Sequence, residues 1–123
     1  MNKEKNINIV AQAFYGNRVA TEINRENVDR FILGYVDNDI VVTEKIDRTI
    51  INVPNTDNIV IVYNKYAEEA LEQKENRSPL VVIKDENIEL YSRCIVCRMN
   101  ENGELESLQS EDIEKFIGYL AEW

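Results

Sequence analysis

The sequence predicts an α+β fold: a mixed or antiparallel sheet with about three helices, the last of them C-terminal. Three observations carry this. The middle of the chain is dense in branched side chains at strand spacing, Asn102-Gly103 is a hairpin signal, and apolar stripes at helical spacing occur near both ends. With 123 residues, 44% of them apolar, and only four Gly and two Pro, the chain suits a single domain over residues 1–123 with an ordinary core.

Taken in order, "NINIVAQAFY" (6–15) reads as a first strand, and the turn at Gly16 leads into "RVATEI", giving an opening hairpin. Asn24 is an N-cap candidate for a helix whose stripe is Val28, Phe31, Ile32 and Tyr35, with Gly34 weakening or ending it. "DIVVTEKI" and "RTIINV" flank Asp47 and are expected to pair as a hairpin that stops at Pro54. "NIVIVY" is apolar on both faces, the pattern of an interior strand near the sheet centre. "KYAEEALEQKEN" reads as a short, mostly exposed helix with Tyr66, Ala70 and Leu71 on one side and Glu68, Glu69, Glu72 and Glu75 on the other.

"LVVIK" and "NIELYSRCIVCRM" then return to strand character, and the chain doubles back at "NENGEL". Ser110 is expected to cap a last helix with the stripe Ile113, Phe116, Ile117 and Leu120, with Glu111 and Asp112 favourably placed in its first turn. Tyr119 and Trp123, four apart, fall at the end of that helix and close the core edge or anchor a ligand or partner.

Cys94 and Cys97 have C-x-x-C spacing, but inside a strand residues three apart point to opposite faces, so a shared metal or disulfide is excluded and packing is the expectation. No helix opens after the pair to activate a thiol, and with no His and no further Cys a zinc site lacks ligands. The absence of His also removes Ser-His-Asp and Cys-His arrangements, and the scattered glycines make no phosphate loop. "DNDIVVTEKID" lacks the glycine and terminal glutamate of a calcium loop. The expectation is a non-enzyme without metal or cofactor.

Charge is uneven. The net charge is −9, yet the last 23 residues hold Glu101, Glu104, Glu106, Glu111, Asp112, Glu114 and Glu122 against Lys115 alone. Such a field repels nucleic acid and membrane phosphate, so neither is expected as a direct partner. No apolar run is long enough to span a bilayer, and the polar start and two cysteines point to a reducing cytoplasm. Glu101, Glu104, Glu106, Glu111, Asp112 and Glu114 are the candidate contact residues for a partner with a basic surface. The alternative is a small-molecule site in which Tyr35, Arg93 or Arg98 holds an anionic ligand, at a sheet edge or within a homo-oligomer.

"ELYSRCIVCRMNENGELESLQSEDIEKFI" resembles the C-terminal half of the small proteins grouped as domain of unknown function 3846, encoded by phages, conjugative elements and their hosts. The matching positions are Ser107, Leu108, Glu111, Ile113, Glu114 and Lys115, where a strand and a short turn lead into the last helix. "VDRFILGYVDN" is similar to that family's helix running into a "GGYIE"-like segment, carried by Gly34, Tyr35 and Val36. The central part, including "YAEEALEQKEN", departs from the family's loop. The resemblance implies a context of mobile elements. Accessory proteins of this kind bind host factors, defence components included, or sequester small signals; an acidic face would imitate nucleic-acid phosphate.

Overall fold

Strand pairing gives the fold its shape. The computed structural model describes residues 5–12, 17–32, 35–36, 40–41, 45–53, 55–72, 81–83 and 87–119. Its main sheet is built from β1 (Asn6–Gln12), β2 (Asn17–Asn24), β5 (Arg48–Asn52), β6 (Ile59–Asn64), β9 (Cys94–Met99), β10 (Leu105–Glu106) and β11 (Gly118–Tyr119). The order is β11-β2-β1-β9-β6-β5, with β10 also paired to β9, and every ladder is antiparallel. Two small ladders stand apart: β3 (Tyr35–Val36) with β4 (Ile40–Val41), and β7 (Val81–Ile83) with β8 (Ile88–Leu90). The helices are α1 (Val28–Phe31), α2 (Lys65–Glu72) and α3 (Ser110–Phe116). This is the expected α+β class.

Both faces of the sheet are covered, which is why its central strands are apolar at consecutive positions. Val10, Ile59, Ile61, Cys94 and Val96 pack on one face with Val81 and Leu90 of the β7–β8 ladder, Leu108, and Phe116 of α3. Ile7, Ile9, Ala11, Ile23, Val60, Val62, Ile95 and Cys97 pack on the other with Val28 and Ile32 at α1. Each fully buried Val or Ile contributes about 1.5–3 kcal/mol from the transfer of its side chain out of water. Cys94 and Cys97 therefore lie on opposite faces, as strand alternation requires, and neither is in a disulfide.

The opening hairpin forms in continuous register from Asn6 opposite Asn24 to Gln12 opposite Arg18, and its turn at Gly16 lies outside the described residues. Asn24 does accept from Glu26 N at 2.9 Å, but it caps a 3-10 turn (Arg25–Asn27) that precedes a single turn of α-helix. Tyr35 is in β3 rather than on that helix.

Four further expectations are corrected. Among the described residues the segments around Asp47 do not pair with each other: β4 pairs with β3, and β5 pairs with β6 across a turn in which Asn55 and Asn58 take φ of 62° and 66°. Asparagine tolerates the left-handed region well enough to close it. The strand expected over Asn87 to Met99 is interrupted at Tyr91–Arg93 between β8 and β9. Helix α2 buries Ala67, Glu68 and Leu71 and leaves Tyr66 exposed, so its inward side is rotated from the expected one. Finally, α3 stops at Phe116: Ile117 is extended (φ −79°, ψ 148°), and Gly118–Tyr119 add to β2 as an edge strand. Glycine's poor helix propensity and the available edge both favour that exit. Tyr119 is thus in a strand, whereas Gly34, Pro54, Glu75, Leu120 and Trp123 fall outside the described residues.

Candidate functional site

The acidic segment begins at the tight turn after β9. Asn100 Oδ1 accepts from Asn102 N (2.9 Å) and Glu104 N (3.0 Å), while Asn100 N donates to Glu104 O at 2.9 Å. Gly103, at φ +78°, supplies the left-handed step that reverses the chain. β10 then pairs Leu105 with Met99 and Glu106 with Arg98. The Arg25 guanidinium donates to Leu105 O, Ser107 Oγ accepts from Asn8 N at 3.0 Å, and Leu108 N donates to Asn8 O at 2.9 Å. The hairpin is thereby pinned to the 3-10 turn and to β1.

Helix α3 is anchored through Asp112. Arg98 Nε and one terminal nitrogen donate to its two carboxylate oxygens at 2.8 and 3.0 Å, and Gln109 N donates to Oδ2 at 2.9 Å. This two-pronged bond is the strong form of an arginine–carboxylate pair. The hydrogen bond from Arg98 is the main cause that holds the Asp112 carboxyl below its ordinary pKa, and the same bond raises the Arg98 guanidinium. Helix start is fixed by Asp112 reaching back to Gln109, the N-cap, rather than by Ser110 as the sequence predicts.

The candidate contact residues therefore divide. Glu101, Glu106, Glu111 and Glu114 are exposed, and Glu104 is half-buried against Asn100. Asp112 is buried and turned to Arg98, so it serves as an internal anchor for the surface that carries the others. Sequence reading had no means to separate it from its neighbours, because Glu111, Asp112 and Glu114 all suit the first turns of a helix.

The alternative ligand residues fall on different elements. Tyr35 belongs to the separate β3–β4 ladder. Arg93 precedes β9 and Arg98 is near its end, about 16 Å away at strand rise. The Arg98 guanidinium is occupied by Asp112.

A feature the sequence reading missed is the environment of Glu68. This carboxylate, 8% exposed, accepts from Tyr91 N (2.7 and 2.9 Å), Ser92 N (3.1 Å) and Ser92 Oγ (3.3 Å). It thereby satisfies the backbone donors at the break between β8 and β9. Beside it, Ile51, Tyr63, Glu68, Asn87, Ile88, Glu89, Leu90 and Tyr91 line an open cleft of about 640 Å³. Tyr91 Oη donates to Glu89 Oε2 at 3.1 Å. Burial, and then the negative charges of Glu68 and Asp47, raise the Tyr63 hydroxyl pKa. The described wall thus combines aromatic and aliphatic surface with two carboxylates.

A second missed residue is Asn64, fully buried where β6 becomes α2. Its Oδ1 accepts from Asp47 N and Tyr66 N (2.9 and 3.2 Å), and its Nδ2 donates to Lys45 O at 2.8 Å. Asparagine immediately before "KYAEEALE" is the signal that could have identified it as an N-cap.

Burial pushes the Cys97 thiol up to about 12, which keeps it protonated and inert at neutral pH. Among the described residues no helix is long and apolar enough to cross a membrane. No family model matches the chain, and neither the curated proteins nor the solved structures give a match.

Proposed function

We propose that the protein is a non-enzymatic interaction module whose β9–β10 turn and α3 present carboxylates to a basic surface on a protein partner. The supporting observation is the rigid mounting of that segment. Glu101, Glu106, Glu111 and Glu114 are exposed, while the backbone carrying them is fixed by Asn100, Arg25, Asn8 and the Arg98–Asp112 pair. A preorganised charged surface loses less entropy on docking than a loose acidic tail, and its field accelerates encounter.

In this reading the partner is a host factor met in the cytoplasm, and the resemblance to mobile-element proteins makes a defence component a natural target. Carboxylates held on a fixed frame meet the same Arg and Lys field as nucleic-acid phosphate. The test is affinity capture from host lysate at low and high salt. A basic protein held only at low salt supports the reading, and the absence of any salt-sensitive basic partner overturns it.

The cleft beside Glu68 favours a second reading, a small-molecule binding protein. Its lining by Tyr63, Tyr91, Glu68 and Glu89 suits a ligand with an apolar body and a positive or hydroxyl-rich end, in place of an anion on Tyr35, Arg93 and Arg98. Native mass spectrometry separates the two: a retained small mass supports this reading, and a bare chain removes it.

A further inference from the structure

The sequence contains one Asn-Gly dipeptide, Asn102–Gly103, and it lies at the tip of the β9–β10 turn with Glu101, Asn102 and Gly103 all exposed. Asn-Gly pairs are chemically labile. The glycine backbone nitrogen, once it has lost its proton to solvent base, attacks the asparagine side-chain carbonyl carbon. A bond forms between that nitrogen and Cγ, the Cγ–NH2 bond breaks, and the amide leaves as ammonia after taking a proton. Water then opens the cyclic imide at either carbonyl, leaving aspartate or isoaspartate. Glycine permits the attack because it has no Cβ to obstruct it and its backbone turns freely.

The folded turn opposes this chemistry. Gly103 N–H donates to Asn100 O at 3.0 Å, so the attacking nitrogen is engaged and its proton is held. The Asn100 side chain reinforces the closed state by accepting from the amides on both sides of Gly103, those of Asn102 (2.9 Å) and Glu104 (3.0 Å). Reaction therefore requires local opening of the turn, and Asn100 controls how often that happens.

We propose that Asn102 is a deamidation site whose rate is set by the Asn100 clamp, and that its conversion adds a carboxylate to the acidic hairpin. The chemistry stands independently of the proposed function; only the effect of the added charge on a partner rests on that reading. The modified segment is the tryptic peptide between Arg98 and Lys115, which holds both Asn100 and Asn102.

The test is mass spectrometry of that peptide after timed incubation of the full chain in mildly alkaline buffer, native and in urea. Native wild type is expected to convert more slowly than the unfolded chain. Asn100→Ala raises the native rate about tenfold, the ratio opened by losing one or two hydrogen bonds. Asn100→Asp keeps the acceptor oxygen and stays near the wild-type rate, which separates loss of the clamp from general damage. Gly103→Pro, which has no backbone N–H to lose, abolishes conversion in urea as well, which identifies the attacking nitrogen. Equal native and unfolded rates for wild type, or an Asn100→Ala rate no faster than wild type, would overturn the proposal.

Discussion

Replacing Glu68 with alanine removes the acceptor that closes the chain between β8 and β9. Three donors lose their partner: the amides of Tyr91 and Ser92 and the Ser92 hydroxyl. Tyr91 is half-buried, whereas Ser92 is fully buried, so the Ser92 donors carry the larger desolvation cost. Hydrogen bonds to a charged group contribute about 1.5–3 kcal/mol each, and relief of carboxylate burial offsets part of the loss, so the net cost is about 3 kcal/mol. With a urea slope of about 1.5–2 kcal/mol/M the unfolding midpoint falls by about 1.5–2 M. Glu68→Gln keeps one acceptor oxygen and loses roughly half as much. Glu69→Ala is the control, since Glu69 is the exposed neighbour on the same helix. Hydrogen exchange should show faster exchange at Ser92 in the Glu68→Ala chain. If Glu68→Ala melts with Glu69→Ala, the buried carboxylate does not hold this junction and the argument fails.

The Asp112 carboxyl has its pKa lowered in the folded chain, mainly by Arg98, so its contribution is present above the ordinary carboxylate range and is lost as pH falls through the folded value. Asp112→Asn should therefore cost about 1–2 kcal/mol at neutral pH, with the gap to wild type closing on acidification; urea melts across pH check this, and a pH-independent gap would contradict it. Neither cysteine should react with an aromatic disulfide reagent in the native chain, and both should react in urea, because each is buried and the Cys97 thiol is pushed up to about 12. Mild oxidation should yield no bond between Cys94 and Cys97, which the sheet separates; an oxidised band within the monomer would refute that placement.

What the sequence revealed was local. Alternation identified β1 and β2 as a hairpin and placed Cys94 and Cys97 on opposite faces, and the two-sided apolar run at Ile59–Asn64 marked an interior strand. Asn102-Gly103 marked a real reversal. Pairing between distant segments was less legible. β4 and β5 share the same branched composition, and only the turn at Asn55 and Asn58 explains why β5 turns to β6. The end of α3 depends on an edge of β2 that local pattern does not reveal. The inward turn of Glu68 depends on donors more than twenty residues away, and that of Asp112 on an arginine in a preceding strand. Charge composition located the acidic segment, but only the fold divides the anchoring Asp112 from the outward Glu101, Glu106, Glu111 and Glu114.

The central claim is that these four outward carboxylates form the contact surface, and association kinetics with the captured partner test it most directly. Wild type should associate about tenfold faster at low than at high ionic strength. The chain carrying Gln at Glu101, Glu106, Glu111 and Glu114 should associate slowly at both, with its unfolding midpoint nearly unchanged. Equal rates and equal salt dependence for the two chains would contradict the account.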